Sequence, residues 1–147
     1  MIRFVRGDIF ESGAEALVNP VNCVGVCGKG LALEFKRRYP SNFQEYQSKC
    51  RQSMQTGSMF VTMDIEGYII NFPTKTHWLS KSNLGSLRAG LIDLRRVIDN
   101  LKLQSVAIPA LGCGCGGLKW DDVKPEIEKA LVGLDADIMV YEPTENP

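Results

Sequence analysis

The chain carries a single histidine, His77, and no excess of either charge: 17 Lys and Arg stand against 17 Asp and Glu, a formal net charge of zero. A protein that gains its affinity by neutralising a phosphate backbone carries a basic excess, so a duplex-DNA coat or architectural protein is disfavoured. No stretch approaches the roughly 20 apolar residues of a membrane span. The opening MIRFVRGDIF puts Arg3, Arg6 and Asp8 where a signal peptide needs an apolar run. Cysteine is too scarce and too oddly counted for a disulfide framework: Cys23, Cys27, Cys50, Cys113 and Cys115 make five. The expectation is a cytoplasmic protein with free thiols and no membrane partner. Cys23 and Cys27 are spaced C-x3-C and Cys113 and Cys115 C-x-C, neither of them the paired C-x2-C of a structural zinc site, so no metal is expected. There is no linker, repeat or low-complexity stretch.

What is present is ordinary globular composition, 44% hydrophobic and 23% charged over 147 residues. That suits one domain, residues 1–147, by the rule of roughly 100–200 residues per domain. The polar end YEPTENP suits either a complete protein or the N-terminal domain of a longer one. Ile2–Arg6 alternates apolar and basic residues and reads as a strand; Ala16–Val21 reads as a more buried one. A glycine-rich loop, Gly25–Gly30, leads into a helix over Leu31–Tyr39 that Pro40 stops. Ser41 is expected to cap the next helix. Met59–Met63 and Tyr68–Phe72 flank Asp64–Gly67 as a hairpin. Ser82 or Asn83 opens the longest helix, with Leu84, Leu87, Leu91, Leu94, Ile98 and Leu101 at spacings of three and four, interrupted by Gly85 and Gly90. Ser105–Pro109 is a strand running into a second glycine loop, Gly112–Gly117. Asp121 is expected to cap a helix holding Pro125 in its early turns, and Ile138–Tyr141 is the last strand. Strands alternating with helices, plus one hairpin, give an α/β fold: three α/β/α layers around a mixed sheet.

Ligands of open α/β sheets bind beyond the carboxyl ends of the strands, where both glycine loops lie. Backbone without side chains lets N–H groups approach a phosphate, and a helix N-terminus adds a favourable dipole. Two such loops facing each other suit a diphosphate; each alone reads equally as a tight turn. Named phosphate motifs fit poorly. Lys29 lacks both the glycine five residues earlier and the following Ser or Thr of a Walker loop. Gly112, Gly114 and Gly117 match GxGxxG, but that fingerprint begins a longer series of βα units, and here one helix and one strand remain. No cofactor is expected.

With these residues in view, the chain resembles the macrodomain family, the ADP-ribose-binding α/β/α fold, from Met1 to about Tyr141. Gly7-Asp8-Ile9 matches the family's GD-[IL] motif; the resemblance implies that Asp8 accepts the adenine amino group and that Ile9 lines its pocket. VNPVN (Val18–Asn22, with Asn19 inside it) matches VNxxN and implies Asn22 at the distal ribose. GKGLA, with Gly28, Lys29, Gly30 and Leu31, is similar to the family's first diphosphate loop. ALGCGCGG is similar to the second, with Ala110, Leu111, Gly112, Cys113, Gly114, Cys115 and Gly116. Within the family the chain is most similar to the terminal ADP-ribose glycohydrolase branch, whose members carry a catalytic lysine after the fourth strand. The segment here is INFPTKTHW followed by Lys81. Its TK-x-HW pattern resembles bacterial DarG-type antitoxins, which remove ADP-ribose that a partner ADP-ribosyltransferase toxin places on thymidine in single-stranded DNA. One departure matters: the human protein-directed member has an aspartate in the second loop, where this chain has Gly116. That weighs against hydrolysis of glutamate esters.

The implied reaction breaks a glycosidic bond at ribose C1″. Standard glycosidases flank such a bond with two carboxylates, and neither loop offers a pair. A lysine can instead stabilise a leaving group as a cation or, as a free amine, attack an opened-ring aldehyde. Lys75, expected to lie sheltered by Phe72 and Trp78, is the candidate, with Asn22 orienting the ribose hydroxyls. His77 is a candidate donor to a substrate phosphate or a brace for the Lys75 loop; Trp78 is a packing residue or a stacking surface for a nucleobase. Lys36-Arg37-Arg38, with Lys75 and Lys81, is expected to supply a local basic rim. The expected function is an ADP-ribosyl glycohydrolase acting on ADP-ribosylated single-stranded DNA. The competing readings are a non-catalytic ADP-ribose reader and a hydrolase of ADP-ribosylated protein or O-acetyl-ADP-ribose.

Overall fold

The strands of this chain alternate in a way that buries both faces of one sheet. In the computed structural model, which describes residues 1–144, the strands are β1 (Ile2–Val5), β2 (Ala16–Asn22), β3 (Phe60–Asp64), β4 (Gly67–Lys75), β5 (Ser105–Ile108) and β6 (Asp137–Tyr141). The helices are α1 (Gly30–Arg38), α2 (Pro40–Ser53), α3 (Leu84–Leu101) and α4 (Trp120–Leu131), with a single 3₁₀ turn at Ile9–Glu11. Even-numbered positions Ala16, Val18, Ile70, Phe72, Val106, Ile108, Ile138 and Val140 join Leu87, Leu91, Leu94, Val123, Ile127 and Leu131 in one core under α3 and α4. The odd positions Leu17 and Ile69 face α1 and pack with Phe35 and Tyr39. Two buried faces explain why β2, β4 and β5 read as nearly continuous apolar runs.

The sheet order is β1-β6-β5-β2-β4-β3, with β3 antiparallel to β4 and every other pair parallel. The mixed three-layer sheet expected from the sequence is therefore present. Chain direction across the sheet reverses between β5 and β2. From β5 the chain crosses through α4 to β6, and from β2 it crosses through α1 and α2 to the β3–β4 pair on the other side. The β2–β5 ladder holds only two residue pairs, Ala16↔Val106 and Leu17↔Ala107, so the strands part towards their carboxyl ends. A reversal of this kind is where open α/β sheets form a ligand crevice, and the glycine loops follow these two strands.

Two helix starts differ from expectation. Pro40 itself occupies the first position of α2, where its fixed φ and missing N–H suit a helix start, and Tyr39, not Ser41, is the N-cap residue. In α4 the N-cap residue is Lys119, so Asp121 sits inside the first turn, favourably placed against the helix dipole, and Pro125 lies deeper than a first-turn proline. Asn83 does cap α3, accepting from the Ser86 N–H at 2.8 Å.

Gly90 is explained by packing. A Cβ at this position would stand 2.5 Å from Cζ of Phe72 on β4, and that ring is fully buried. Replacing glycine with alanine inside a helix gains about 1 kcal/mol of propensity, whereas overpacking a filled core costs about 1–3 kcal/mol. Gly90→Ala is therefore expected to lower the midpoint of thermal unfolding by a few degrees, and Gly90→Ala with Phe72→Leu to recover most of it. A rise in the single variant's midpoint would show that the ring yields freely.

Candidate functional site

The loop after β2 is organised by its own first residue. Oδ1 of Asn22 accepts from the N–H groups of Val24 (3.1 Å), Gly25 (3.1 Å) and Val26 (3.3 Å), and Nδ2 donates to the Val26 carbonyl at 2.7 Å. From α2, the hydroxyl of Tyr46 lies 2.8 Å from Asn22 Oδ1 and 2.9 Å from Asn22 O; its one hydrogen is shared between the two oxygens. Burial, together with the neighbouring Cys27 and Cys50 thiols, pushes the Tyr46 phenol far up, so it stays a donor. Gln47 adds a hydrogen bond from Nε2 to the Gly25 carbonyl at 3.2 Å, and Gly25 has φ +83°. Asn22 is only 5% exposed. Its amide oxygen and nitrogen are both engaged in shaping the loop. Tyr46 and Gln47 were not read from the sequence at all; their only signal was a tyrosine at a buried position of an otherwise polar helix.

Beyond this loop, Gly30 has φ +65° and the N-cap residue Lys29 makes no side-chain cap. The first turn of α1 therefore has no side-chain cap on its N–H groups, the condition an anion site requires. Gly28, Lys29 and Gly30 are exposed, whereas Leu31 packs beside Phe35. Asn19 differs from expectation. It lies mid-strand at 2% exposure, and its Nδ2 donates to Asn71 Oδ1 at 3.1 Å. Asn42 of α2 and Thr62 of β3 complete this buried network. Asn19 is a buried residue linking β2 to β4.

The loop after β5 is a second short-chain turn. Leu118 N–H donates to Gly112 O at 2.9 Å, Cys113 N–H to Ala110 O at 3.2 Å, and Gly112 and Gly117 have φ +75° and +77°. Leu111 is fully buried in the α3–α4 core, so it offers a ligand only its backbone. Cys113 is partly buried, and Gly114 and Cys115 are exposed. Gly116 is held by the Ser82 N–H, which donates to its carbonyl at 3.0 Å.

Between the two loops stands the end of β4. Pairing with β2 jumps from Val21↔Pro73 to Asn22↔Lys75, leaving Thr74 as an extra residue whose hydroxyl donates to Val21 O at 3.4 Å. Such irregularities re-aim the residues that follow. Lys75 Nζ donates to the carbonyls of Trp78 at 3.1 Å and Cys115 at 3.5 Å, while the Cys23 N–H donates to Thr76 O at 3.0 Å. The end of β4 is thus tied to both loops, with the Lys75 side chain between them, its stem half-buried and its amine exposed. Among the described residues Lys75 has no carboxylate partner. Phe72, expected as its shelter, instead turns into the opposite core against Gly90. His77 braces this segment: its Nδ1 accepts from the Leu79 N–H at 3.1 Å, and its carbonyl from Ser80 N–H at 2.9 Å.

After β1, Asp8 Oδ1 accepts from the Phe10 N–H at 2.9 Å, starting the 3₁₀ turn, and Ile9 is buried beside it. Asp8, Asn22, Lys75 and Ala110–Gly116 therefore line one edge of the sheet. Lys36, Arg37 and Arg38 do not. They sit at the far end of α1, which runs back towards the β3–β4 turn. There Tyr39 donates to Glu66 at 3.1 Å, Lys36 lies over Phe43 and Arg38 over Phe10. The cationic rim consists of Lys29, Lys75 and Lys81, whose chain passes over Gly117. Cavities of about 180 Å³ beside Tyr39 and Glu66, and of about 270 Å³ beside Lys49 and Phe60, contain neither Lys75 nor a glycine-loop residue. Burial pushes the Cys23, Cys27 and Cys113 thiols up to about 11, leaving them protonated at neutral pH. Among the described residues there is no cluster of His, Cys, Asp or Glu suited to a metal and no helix long and apolar enough to cross a membrane.

Two glycine loops at the point where the strand order reverses, with a lysine beside them, suit a macrodomain-type ligand edge, and a Macro domain model matches residues 18–127. The chain belongs to the macrodomain family. A curated relative from Mycobacterium tuberculosis, named DNA ADP-ribosyl glycohydrolase, is 51% identical over 150 residues, covering 98% of this chain and 43% of its own length. The solved macrodomain of Mycobacterium tuberculosis DarG superposes with a TM-score of 0.94 at 50% identity, over 98% of this chain and 99% of that one. The macrodomain of Thermus aquaticus DarG gives 0.92 at 48% identity, over 97% and 99%. Thermosipho africanus DarTG, solved in complex with ADP-ribose, gives 0.92 at 31% identity, over 99% of this chain and 42% of that one. This chain therefore spans less than half the length of the curated relative it matches.

Proposed function

We propose that this chain binds ADP-ribose along its loop edge and hydrolyses the bond joining the distal ribose to a base of single-stranded DNA, as the antitoxin partner of an ADP-ribosyltransferase toxin in the cytoplasm. One observation carries the reading: the Lys75 amine is held between the Trp78 carbonyl of its own segment and the Cys115 carbonyl of the loop after β5. A module that only reads ADP-ribose has no use for an amine there. The names of the relatives support the substrate.

In this reading the first-turn N–H groups of α1 with Gly28, Lys29 and Gly30, and the backbone of Ala110–Gly116, hold the diphosphate. Asp8 keeps Oδ2 free of protein hydrogen bonds among the described residues and accepts the adenine amino group beside Ile9. Lys75 carries the chemistry, and His77 and Asn22 hold its surroundings in place. Glutamate-linked protein is the weaker substrate, because no acid stands at Gly116.

A side-by-side release assay tests the reading. With a thymidine-ADP-ribosylated oligonucleotide and a glutamate-ADP-ribosylated protein, free ADP-ribose is expected from the first at a rate at least about tenfold above the second, a barrier difference of roughly 1.4 kcal/mol. Binding without release from either makes the chain a reader; preferential release from the protein reverses the substrate assignment.

A further inference from the structure

Two tryptophans in one chain are used in opposite ways. Trp120 is built in: its Nε1 donates to Glu142 at 3.2 Å, and its ring meets Phe4 edge-on at 6.2 Å. Trp78 is 46% exposed, and among the described residues its indole N–H has no hydrogen-bond partner. Its ring instead lies parallel to that of His77, with centroids 5.4 Å apart and planes 28° off. Bonding of His77 Nδ1 to the Leu79 N–H fixes that ring and leaves the imidazole hydrogen on Nε2. A large aromatic pair that is stacked and left in water has apolar faces to offer a ligand.

Its position says which ligand. The carbonyl of Trp78 is the one that holds Lys75 Nζ at 3.1 Å, so the pair stands one residue's reach from the amine that addresses ribose C1″. On the proposed activity, a strand attached at C1″ passes this rim. Lys81, two residues beyond the exposed Leu79, lies over Gly117 on the same rim, adding the positive charge that a phosphodiester strand needs beside a stacking surface.

We propose that the His77–Trp78 pair is the nucleobase platform of the site, stacking a base that flanks the modified one in the strand carrying the ADP-ribose and so selecting unpaired over duplex DNA. This rests on the proposed activity towards DNA. Every base has a π-face, so the platform tolerates sequence while rejecting bases buried in a duplex.

The test uses steady-state release and, in a Lys75→Ala background, equilibrium binding. Trp78→Ala is expected to raise KM for the ADP-ribosylated single strand about tenfold, with a much smaller change for ADP-ribosylated thymidine lacking flanking nucleotides. Trp78→Phe should restore most of the loss. In the Lys75→Ala background, Trp78→Ala should weaken the modified oligonucleotide about tenfold and leave free ADP-ribose within about twofold. Equal losses for oligonucleotide and free ADP-ribose, equal losses on ADP-ribosylated protein, or no loss at all would overturn the platform. If the unaltered chain releases nothing, the proposed activity fails, while the binding ratio still decides the platform.

Discussion

Lys75→Ala is expected to lower ADP-ribose release by about 10³-fold or more, the scale lost when a positioned proton-transfer or nucleophilic group is removed, while ADP-ribose binding changes by less than about threefold. The split follows from geometry. In the proposed reading the diphosphate is addressed by backbone N–H groups of α1 and by the β5 loop, neither of which is built by the Lys75 side chain. Its two hydrogen bonds run to carbonyls at 3.1 and 3.5 Å, in segments that His77 and Ser82 already hold. Release measured by chromatography and binding by calorimetry separate the two quantities. Near-normal turnover in the alanine variant would remove Lys75 from the mechanism.

Lys75→Arg distinguishes the two forms of lysine chemistry. As a cation, lysine stabilises the departing base, and arginine, permanently charged, should retain part of the rate. As a free amine it displaces the base from C1″, the base leaving with the amine's proton. The ribosylamine then opens to an imine, which water hydrolyses to free ADP-ribose and lysine. Arginine cannot follow that route, and borohydride added during turnover would fix the imine to Lys75 as a stable adduct visible by mass spectrometry.

The fold was legible because its signals are local and repeated. Strand alternation, a long helix with Asn83 at its start, and glycine loops after two strands each needed only neighbouring residues. Helix starts were legible to within a residue or two; Pro40 and Trp120 took the first positions that Ser41 and Asp121 had been expected to precede. What failed was tertiary. Whether an asparagine faces a ligand or a loop cannot be read from VNPVN: Asn22 is held by Tyr46, 24 residues away, and Asn19 by Asn71, 52 away. The basic run at Lys36–Arg38 failed for a simpler reason. A helix that follows a strand's carboxyl end travels back along the sheet, so its last turn lies at the opposite edge, roughly 12 Å away at 1.5 Å per residue. Lys75 was legible as a candidate, but its partners were not, because the extra residue Thr74 and the carbonyl of Cys115 come from pairings at long range.

Gly116→Asp, which restores the acid of the protein-directed branch, is expected to damage the site rather than widen its substrate range. A Cβ there would lie 2.4 Å from Ser82 Oγ and 2.6 Å from the Gly112 carbonyl oxygen. The hydroxyl can rotate away. The carbonyl cannot, because it accepts from the Leu118 N–H at 2.9 Å and closes the turn. Relief must come from moving Ala110–Gly117, the backbone assigned to the diphosphate and to Lys75 through Cys115. Strain of about 1–3 kcal/mol converts to roughly 5- to 150-fold in affinity, so ADP-ribose binding should fall about tenfold or more, and release from DNA with it. Gly116→Ala should show most of the same loss, since the collision begins at Cβ, and adding Ser82→Gly should recover little because the Gly112 carbonyl remains. Glutamate-linked ADP-ribose should not become a substrate. If Gly116→Asp keeps its ADP-ribose affinity and releases ADP-ribose from modified protein, the glycine is only a missing acid. If affinity falls in both single variants, the absent acid is a consequence of how closely this loop folds over Ser82, and substrate choice in this chain is set by backbone packing before it is set by catalysis.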